Sequence, residues 1–410
     1  MPSSTERRAF ETEHAGRPPA VLQVVPALVT GGVERGTVEI AAALVKAGWR
    51  AIVASSGGPM VHEIERAGAE HVTLSLASKN PLVIYRNIAR LARLIADESV
   101  DLVHARSRAP AWSAYYAARR TARPFVTTLH NIYGGGSGAK RLYNSVMAKG
   151  ARVIAISQFV ADHAIRTYGL DPARLTVIHR GVDLARFDPS AIHPSRLIAL
   201  AKEWRLEDGA PVIMLPGRMT RWKGHFDLLE AVSRLPRRDL QVLFVGDDQQ
   251  HPGFRKELEE RIAALDLGGI VHMVGDTRDM PAAFMLADVV VSASTEPEGF
   301  GRIAVEAQAM GRPVIATDHG GSRETIVSGE TGWLVPPGDP AALAAALDAA
   351  LTLSPRDRVM LAARSRAAMT ENFDARHMSA ATLDLYTALL FPDHAPTDRD
   401  PDAADAAATA

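Results

Sequence analysis

The chain has 410 residues, 47% of them apolar and 23% charged, which excludes an intrinsically disordered protein and leaves room for two separate cores. It contains no cysteine, so disulfides and thiolate metal sites are excluded and a reducing compartment is allowed. The net charge of -1 hides an asymmetry: residues 1–193 hold 24 Lys+Arg against 15 Asp+Glu, a net +9, and residues 194–410 hold 22 against 32, a net -10. A basic half suits an anionic partner, either a phosphate-bearing molecule or an anionic membrane face, where each nearby cation contributes about 1 kcal/mol. The charges are dispersed and accompany no recognised binding motif, so nucleic acid is the weaker reading. Residues 1–17 mix acids and bases without an apolar run, and no segment reaches the roughly 18 apolar residues of a membrane span. A soluble cytoplasmic protein with a disordered N-terminal tail is expected.

Residues 20–30, A-V-L-Q-V-V-P-A-L-V-T, predict a buried strand running into Gly31-Gly32, then a helix over 33–47 that Gly48 ends. Strands at 51–55, 71–76 and 102–104 alternate with helices at 59–67 and 81–97, and this βαβ repetition implies a parallel sheet covered on both faces. The stretch H-A-R-S-R-A-P at 104–110 follows a strand carboxyl end, where open α/β sheets place ligands. Arg106 and Arg108 there suit a carboxylate or phosphate, with a solvated loop as the alternative. Trp112, Tyr115, Tyr116, Arg119 and Arg120 fall at helical spacing, which fits an interfacial face and equally a packed core. A strand over 124–129 delivers His130 and Asn131 into Y-G-G-G-S-G, whose residues 134–138 lack a hydrophobic anchor and are expected to order on binding. Lys140, Arg141, Lys149 and Arg152 flank that loop. A strand at 153–156 ends at Ser157, and V-I-H-R-G-V-D at 177–183 closes the first domain.

The second domain is expected to begin near His193, past a proline-containing linker. A strand over 212–215 leads into G-R-M-T-R-W-K-G at 217–224, where Arg218 opens the loop and Lys223 closes it. Both cations can reach one diphosphate across a turn held open by glycine. A helix over 227–235 follows. The strand at 240–245 ends at Gly246-Asp247-Asp248, but no third metal ligand stands nearby and no metal is expected. After a strand at 270–274, the loop G-D-T-R-D-M carries Arg278, and Asp279 suits the N-cap of a helix over 281–286. The run Val289-Val290-Val291 then feeds S-T-E-P-E-G-F-G-R-I-A-V-E-A-Q-A-M-G at 294–311, which reads as strand, loop and helix. Glu298 lies in that loop and Glu306 eight residues on in the helix, so the two carboxylates can face one cleft from different depths. Gly299 and Gly301 let the backbone pass close to a ligand. The amides of residues 300–303, including Gly301, Arg302 and Ile303, start a helix that favours an anion by about 0.3–1 kcal/mol per charge where exposed. A strand at 313–317, a loop at 320–324, the stretch G-W-L-V-P-P-G-D and helices at 340–353, 355–370 and 376–390 complete the domain, and a disordered tail is expected from 392.

E-P-E-G-F-G with Glu306, the G-R-x-x-x-x-K-G loop and the diglycine after the first strand together resemble the signature of family 4 of the glycosyltransferases, which are retaining enzymes of GT-B architecture using nucleotide-activated sugars. The resemblance covers about 20–391 and is strongest from 217 to 340. It implies an α/β protein with two Rossmann-like domains facing across a cleft. The acceptor-binding domain would span 18–193, completed by the helix at 376–391 crossing back; the nucleotide-sugar domain would span 194–375, with tails at 1–17 and 392–410. By the same resemblance, Arg218 and Lys223 bind the diphosphate, Glu306 the ribose hydroxyls and Glu298 the transferred sugar. The Gly31-Gly32 loop lies against the donor phosphates and the acceptor, and His130 lines the acceptor-side wall. The loop of Arg278 touches the nucleotide base, largely through backbone.

The 104–110 segment resembles the subset that builds lipopolysaccharide cores, whose acceptors carry anions that Arg106 and Arg108 would meet. Many relatives have Asn where Arg180 stands; its role is left open beyond facing an anionic acceptor. The partners implied are a nucleotide-sugar donor, with GDP-mannose as the guess, an anionic glycan or glycolipid acceptor, and the inner membrane surface as a peripheral contact. No cofactor is implied. No side chain is an obvious covalent nucleophile, so the resemblance implies front-face attack in which the leaving phosphate helps deprotonate the acceptor, with Glu298 and His130 orienting the sugar. A nucleotide-sugar epimerase or hydrolase of the same fold is a second reading. A catalytically silent scaffold is a third, and the set Arg218, Lys223, Glu298 and Glu306 speaks against it.

Overall fold

The structure, a computed structural model, describes residues 17–29, 31–133, 137–247 and 252–392. Most of the two expected tails, residues 134–136 of the glycine loop and Asp248 lie outside the described residues. The chain divides into two units. The first takes the described parts of Met1–Ala155, Ala164–Ile178 and Met378–Ala410, and the second those of Ile156–His163 and His179–His377.

In the first unit seven parallel strands form one sheet: β1 (Ala20–Val24), β2 (Arg50–Ser55), β3 (Glu70–Thr73), β4 (Leu102–Ala105), β5 (Phe125–Leu129), β6 (Arg152–Ala155) and β7 (Leu175–Val177). Their order is β3-β2-β1-β4-β5-β6-β7. The central strands are buried along their whole length, as their continuous apolar runs require when helices cover both faces. β1 is shorter than the predicted run 20–30. Val25 still donates to Ala54, but Pro26 has no N–H to continue the ladder. Gly32–Lys46, Val61–Arg66, Pro81–Asp97 and Arg108–Arg120 are the helices between the early strands. Two further helices fall where no helix was predicted, Gly138–Ser145 in this unit and Gln158–Tyr168, whose residues up to His163 belong to the second unit. Of the three aromatics on the helix Arg108–Arg120 only Tyr116 is exposed, at 45%. Trp112 donates to the Tyr143 carbonyl at 3.0 Å, and the Tyr115 ring packs edge-on to Phe125.

The last helix, Ala375–Leu390, buries Met378, Leu385 and Tyr386 in the same core as Val21, Leu102, Val126 and Ile154. Its attachment is polar as well as apolar: the Tyr386 hydroxyl lies 2.5 Å from Nδ1 of fully buried His104, whose Nε2 lies 2.7 Å from Thr128 Oγ1.

The second unit has six parallel strands: β8 (Val212–Pro216), β9 (Gln241–Val245), β10 (Val271–Gly275), β11 (Val289–Ser292), β12 (Val314–Thr317) and β13 (Trp333–Val335), in the order β10-β9-β8-β11-β12-β13. A helix, Pro194–Trp204, starts where the second domain was expected to begin, and the His193 side chain caps it by accepting from the Ser195 amide.

Replacing Tyr386 by Phe removes one hydrogen bond from His104 at constant shape. We expect a loss of about 1–2 kcal/mol of stability, measured as a lower urea midpoint with unchanged slope.

Candidate active site

The strand order of the second unit reverses between β8 and β11. The chain leaves β8 outward through β9 and β10 and returns on the other side at β11, so the loops after β8 and β11 part and leave a crevice at the strand carboxyl ends. These loops are 217–224 and 293–301, the two strongest motifs of the sequence.

They are stitched together at three points. Gly224 has φ of +76°, and a Cβ there would stand 1.8 Å from the Ala293 carbonyl oxygen, so only glycine allows this approach. The Thr295 amide donates to the Trp222 carbonyl at 2.7 Å. Lys223 Nζ donates to Glu298 Oε1 at 2.7 Å, with the two side chains only 13% and 16% exposed, and the ammonium lies 4.4 Å from the Trp222 ring centre. The Ser294 hydroxyl donates to the same carboxylate oxygen. Burial alone would raise the Glu298 pKa, but the Lys223 charge and hydrogen bond, with Ser294 and the nearby His319, outweigh it and hold the carboxyl below its ordinary range. Glu298 is therefore ionised at neutral pH. Its backbone is held as well: Gly320, at φ +59°, lets the Gly321 amide reach the Glu298 carbonyl at 2.9 Å.

Gly301, at φ +81°, heads the helix Arg302–Ala309, whose start has no side-chain cap. A helix start without a side-chain cap is the kind of place that suits a ligand anion. Glu306 is 7% exposed and paired one turn back to Arg302. Arg218 is exposed, and among the described residues it makes no ion pair. The unit thus brings Arg218, Lys223, Glu298, Gly301, Arg302, Ile303 and Glu306 to adjoining carboxyl-end loops.

Arg278 stands apart, exposed on the loop after β10, where its carbonyl faces Arg186 at 3.5 Å. Its neighbour Asp279 caps the helix Met280–Leu286 and holds Arg196 through bonds of 2.8 and 2.5 Å. Arg180 is in the second unit and 4% exposed. The segment after it is tied to residues 373–375 by Val182 donating to Phe373 and Ala375 donating to Val182.

The remaining predicted residues belong to the first unit, whose own order reverses between β1 and β4. Gly31 caps the helix Gly32–Lys46 after β1. After β4, Arg106 is 3% exposed, with Tyr386 and Glu39 as its nearest electrostatic partners, and burial pushes its pKa down. Arg108 opens the helix Arg108–Arg120, half-buried, donating to Asn144 Oδ1 at 3.0 Å and lying 4.3 Å over the Tyr133 ring. His130 directly follows β5 and is half-buried. Sequence reasoning missed Ser294 and His319. Both ring nitrogens of His319 are buried without a hydrogen-bond partner, beside Glu298. The serine had a visible signal, lying four residues before Glu298 in the motif, whereas the histidine had none.

Two family models match the chain, Glycosyltransferase Family 4 over residues 30–186 and Glycosyl transferases group 1 over 199–368. The D-inositol 3-phosphate glycosyltransferase of Xylanimonas cellulosilytica is 32% identical over 308 residues, 70% of this chain and 71% of that protein. The glycogen synthase of Mycobacterium tuberculosis is 27% identical over 398 residues, covering 88% and 92%. A crystal structure of a glycosyltransferase from Rickettsia africae superposes with a TM-score of 0.85 at 40% identity, covering 91% of this chain and 99% of that one. Fold and site together define a glycosyltransferase with the two Rossmann-like domains of the GT-B class. The chain belongs to glycosyltransferase family 4.

Directly after the loop 217–224, His225 is fully buried, edge-on to Phe244 at 4.8 Å and near Phe254 at 5.8 Å. Burial, partly offset by the Thr220 main chain and reinforced by Lys223, lowers its pKa to about 4. The folded-state value is below the unfolded one, so stability is complete above pH about 6.5 and falls as the pH drops toward 4, by about 3 kcal/mol in all. Chemical denaturation at pH 7 and pH 4 should show an acid-side loss smaller by this amount in His225→Leu than in the parent.

Proposed function

We propose that this glycosyltransferase moves a hexose from a nucleotide-sugar to an anionic glycan or glycolipid acceptor, with retention at the anomeric carbon and without a metal. The second unit holds the donor and the first the acceptor. The observation that carries the reading is the buried Lys223–Glu298 pair beside Arg218 and the uncapped start of the Arg302–Ala309 helix. In the free protein Glu298 serves as the counter-ion of Lys223; a bound diphosphate takes that place and frees the carboxylate for the sugar hydroxyls.

As the bond from the anomeric carbon to the phosphate oxygen breaks, charge develops on the departing diphosphate. Arg218, Lys223 and the amides of Arg302 and Ile303 stabilise it there. The acceptor hydroxyl attacks from the same face, forms the new carbon–oxygen bond and passes its proton to a phosphate oxygen. Glu306 holds the ribose, the loop of Arg278 lies against the base, and His130 with Glu298 orients the sugar. Gly31, Gly32, Arg106 and Arg108 serve the acceptor, and Arg180 faces its charge. The Xylanimonas relative is named for inositol 3-phosphate, a phosphorylated polyol, which supports an acceptor bearing an anion. Lipopolysaccharide core or another cell-envelope polysaccharide is the pathway we propose, at the cytoplasmic face of the membrane, with GDP-mannose as the first donor to test. Among the described residues no helix is long and apolar enough to cross a membrane.

The test is NMR on the purified protein with a panel of nucleotide-sugars, with and without chelator, adding a detergent-solubilised lipid-glycan extract last. One nucleotide should be released only with extract, giving an α-linked product from an α-donor, regardless of chelator. A sugar that changes configuration or hydrolyses without extract would replace this reading by an epimerase or hydrolase. Lys223→Ala should lower turnover by about 100-fold or more with the circular dichroism unchanged; near-normal turnover would refute the diphosphate assignment.

A further inference from the structure

Within the first unit a cavity of about 540 Å³ opens between the loop after β4 and the helix Gly138–Ser145, in the size range of small-ligand sites. Lys79, Ser107, Arg108, Lys140, Tyr143 and Asn144 are among the residues that line it. Three of these six are cations, and among the described residues none of the three has a carboxylate partner, in a protein that pairs many of its other cations. Arg108 is held in place by Asn144 and by the Tyr133 ring, which fixes its guanidinium on the cavity wall. Lys79 immediately precedes Asn80, whose side chain caps the Pro81–Asp97 helix, and Lys140 lies in the first turn of Gly138–Ser145, capped by Ser137. The three charges are therefore brought together by ordered helix starts rather than by chance on a loop.

Two hydroxyl groups are unspent. The Tyr143 hydroxyl is buried without a hydrogen-bond partner, and Ser107 stands at a helix N-cap without making the capping bond. Three like charges around one small space repel one another, and a buried phenol without a partner costs stability, so the arrangement is complete only with an anionic acceptor of hydrogen bonds inside it.

We propose that this cavity is a phosphate-monoester subsite, in which Lys79, Arg108 and Lys140 neutralise the phosphate and Ser107 and Tyr143 donate to its oxygens. The charge count selects the ligand class. A phosphate monoester brings about -1.5 to -2 charges and three acceptor oxygens at neutral pH, whereas a carboxylate brings one charge and two oxygens and would leave most of the wall unneutralised. The assignment deepens the transferase reading in one respect, since that reading makes the bearer of the phosphate the sugar acceptor. Leu82 and Leu142, 69% and 66% exposed, follow Lys79 and Lys140 by three and two residues, so the phosphate can arrive on a soluble polyol or on a lipid headgroup.

The experiment uses the full chain with no nucleotide present. Glycerol 3-phosphate is titrated by calorimetry, and vesicles of phosphatidylcholine with and without phosphatidic acid are tested by co-sedimentation. At least one probe should bind, and Lys79→Ala and Lys140→Ala should each weaken it ten-fold or more, while Lys46→Ala, at an exposed lysine elsewhere, leaves it unchanged. Binding of the soluble probe alone names a polyol phosphate, and binding of acidic vesicles alone names a lipid headgroup. The proposal is overturned if neither probe binds, if both cavity variants bind within two-fold of the parent, or if Lys223→Ala abolishes binding, which would place the probe at the diphosphate loop. A protein that binds through Lys79 and Lys140 yet releases no nucleotide from any donor would refute the transferase reading and leave this site standing.

Discussion

The second unit depends on one buried ion pair. Lys223 and Glu298 come from loops 75 residues apart in the chain, and with both side chains largely buried, removing either would leave the other without its counter-charge. The pair fixes how closely those loops approach. It explains why Gly224 must sit against the Ala293 carbonyl and why Gly320 and Gly321 must crowd the Glu298 backbone. It also gives Lys223 a counter-ion within the chain. Such a pair is a poor source of net stability, because the desolvation of both charges offsets their attraction. On the proposed reading its worth would lie in exchange: an incoming diphosphate would replace one counter-charge by another, so the cation would never be left bare.

The helix beginning at Arg302 repeats that logic in weaker form, with Arg302 resting on Glu306 one turn along. The first unit does the opposite. Among the described residues its cavity cations have no carboxylate partner, and ordered helix caps and the stacking of Arg108 on Tyr133 hold them in place. A site that keeps its own carboxylate discriminates among ligands by exchange, whereas a site of unpaired cations attracts any phosphate of the right size. On the readings proposed above, the two units would hold anions in physically different ways.

Much of this was legible in the sequence. Continuous apolar runs separated by helical periodicity gave the parallel sheets, because strands buried on both faces tolerate nothing else. The loops at 217–224 and 294–311 were legible because glycine and charge recur there at spacings that ordinary turns do not need. Other features depend on distant partners. The short helix Gly138–Ser145 follows a glycine loop and carries no apolar stripe of its own, so periodicity was silent. Arg106 and Arg108 are two residues apart and read alike, yet one is buried with Tyr386 and Glu39 as electrostatic partners and the other lines the cavity. Residues 156–163 fall in the second unit because Ser157 donates to the Gly299 carbonyl and Glu324 accepts from the Gln158 and Phe159 amides, bonds that span more than 140 residues. Likewise His319 acquires meaning only from its position beside Glu298.

Counter-ion exchange at Lys223 is most directly tested by calorimetric titration of GDP and UDP, without sugar, into the parent protein, Lys223→Ala and Glu298→Gln. The account predicts that Lys223→Ala weakens the preferred nucleotide ten-fold or more, and that Glu298→Gln, which removes the competing carboxylate, binds it at least as tightly as the parent. Unchanged affinity in Lys223→Ala, or a loss in Glu298→Gln as large as that in Lys223→Ala, would contradict it.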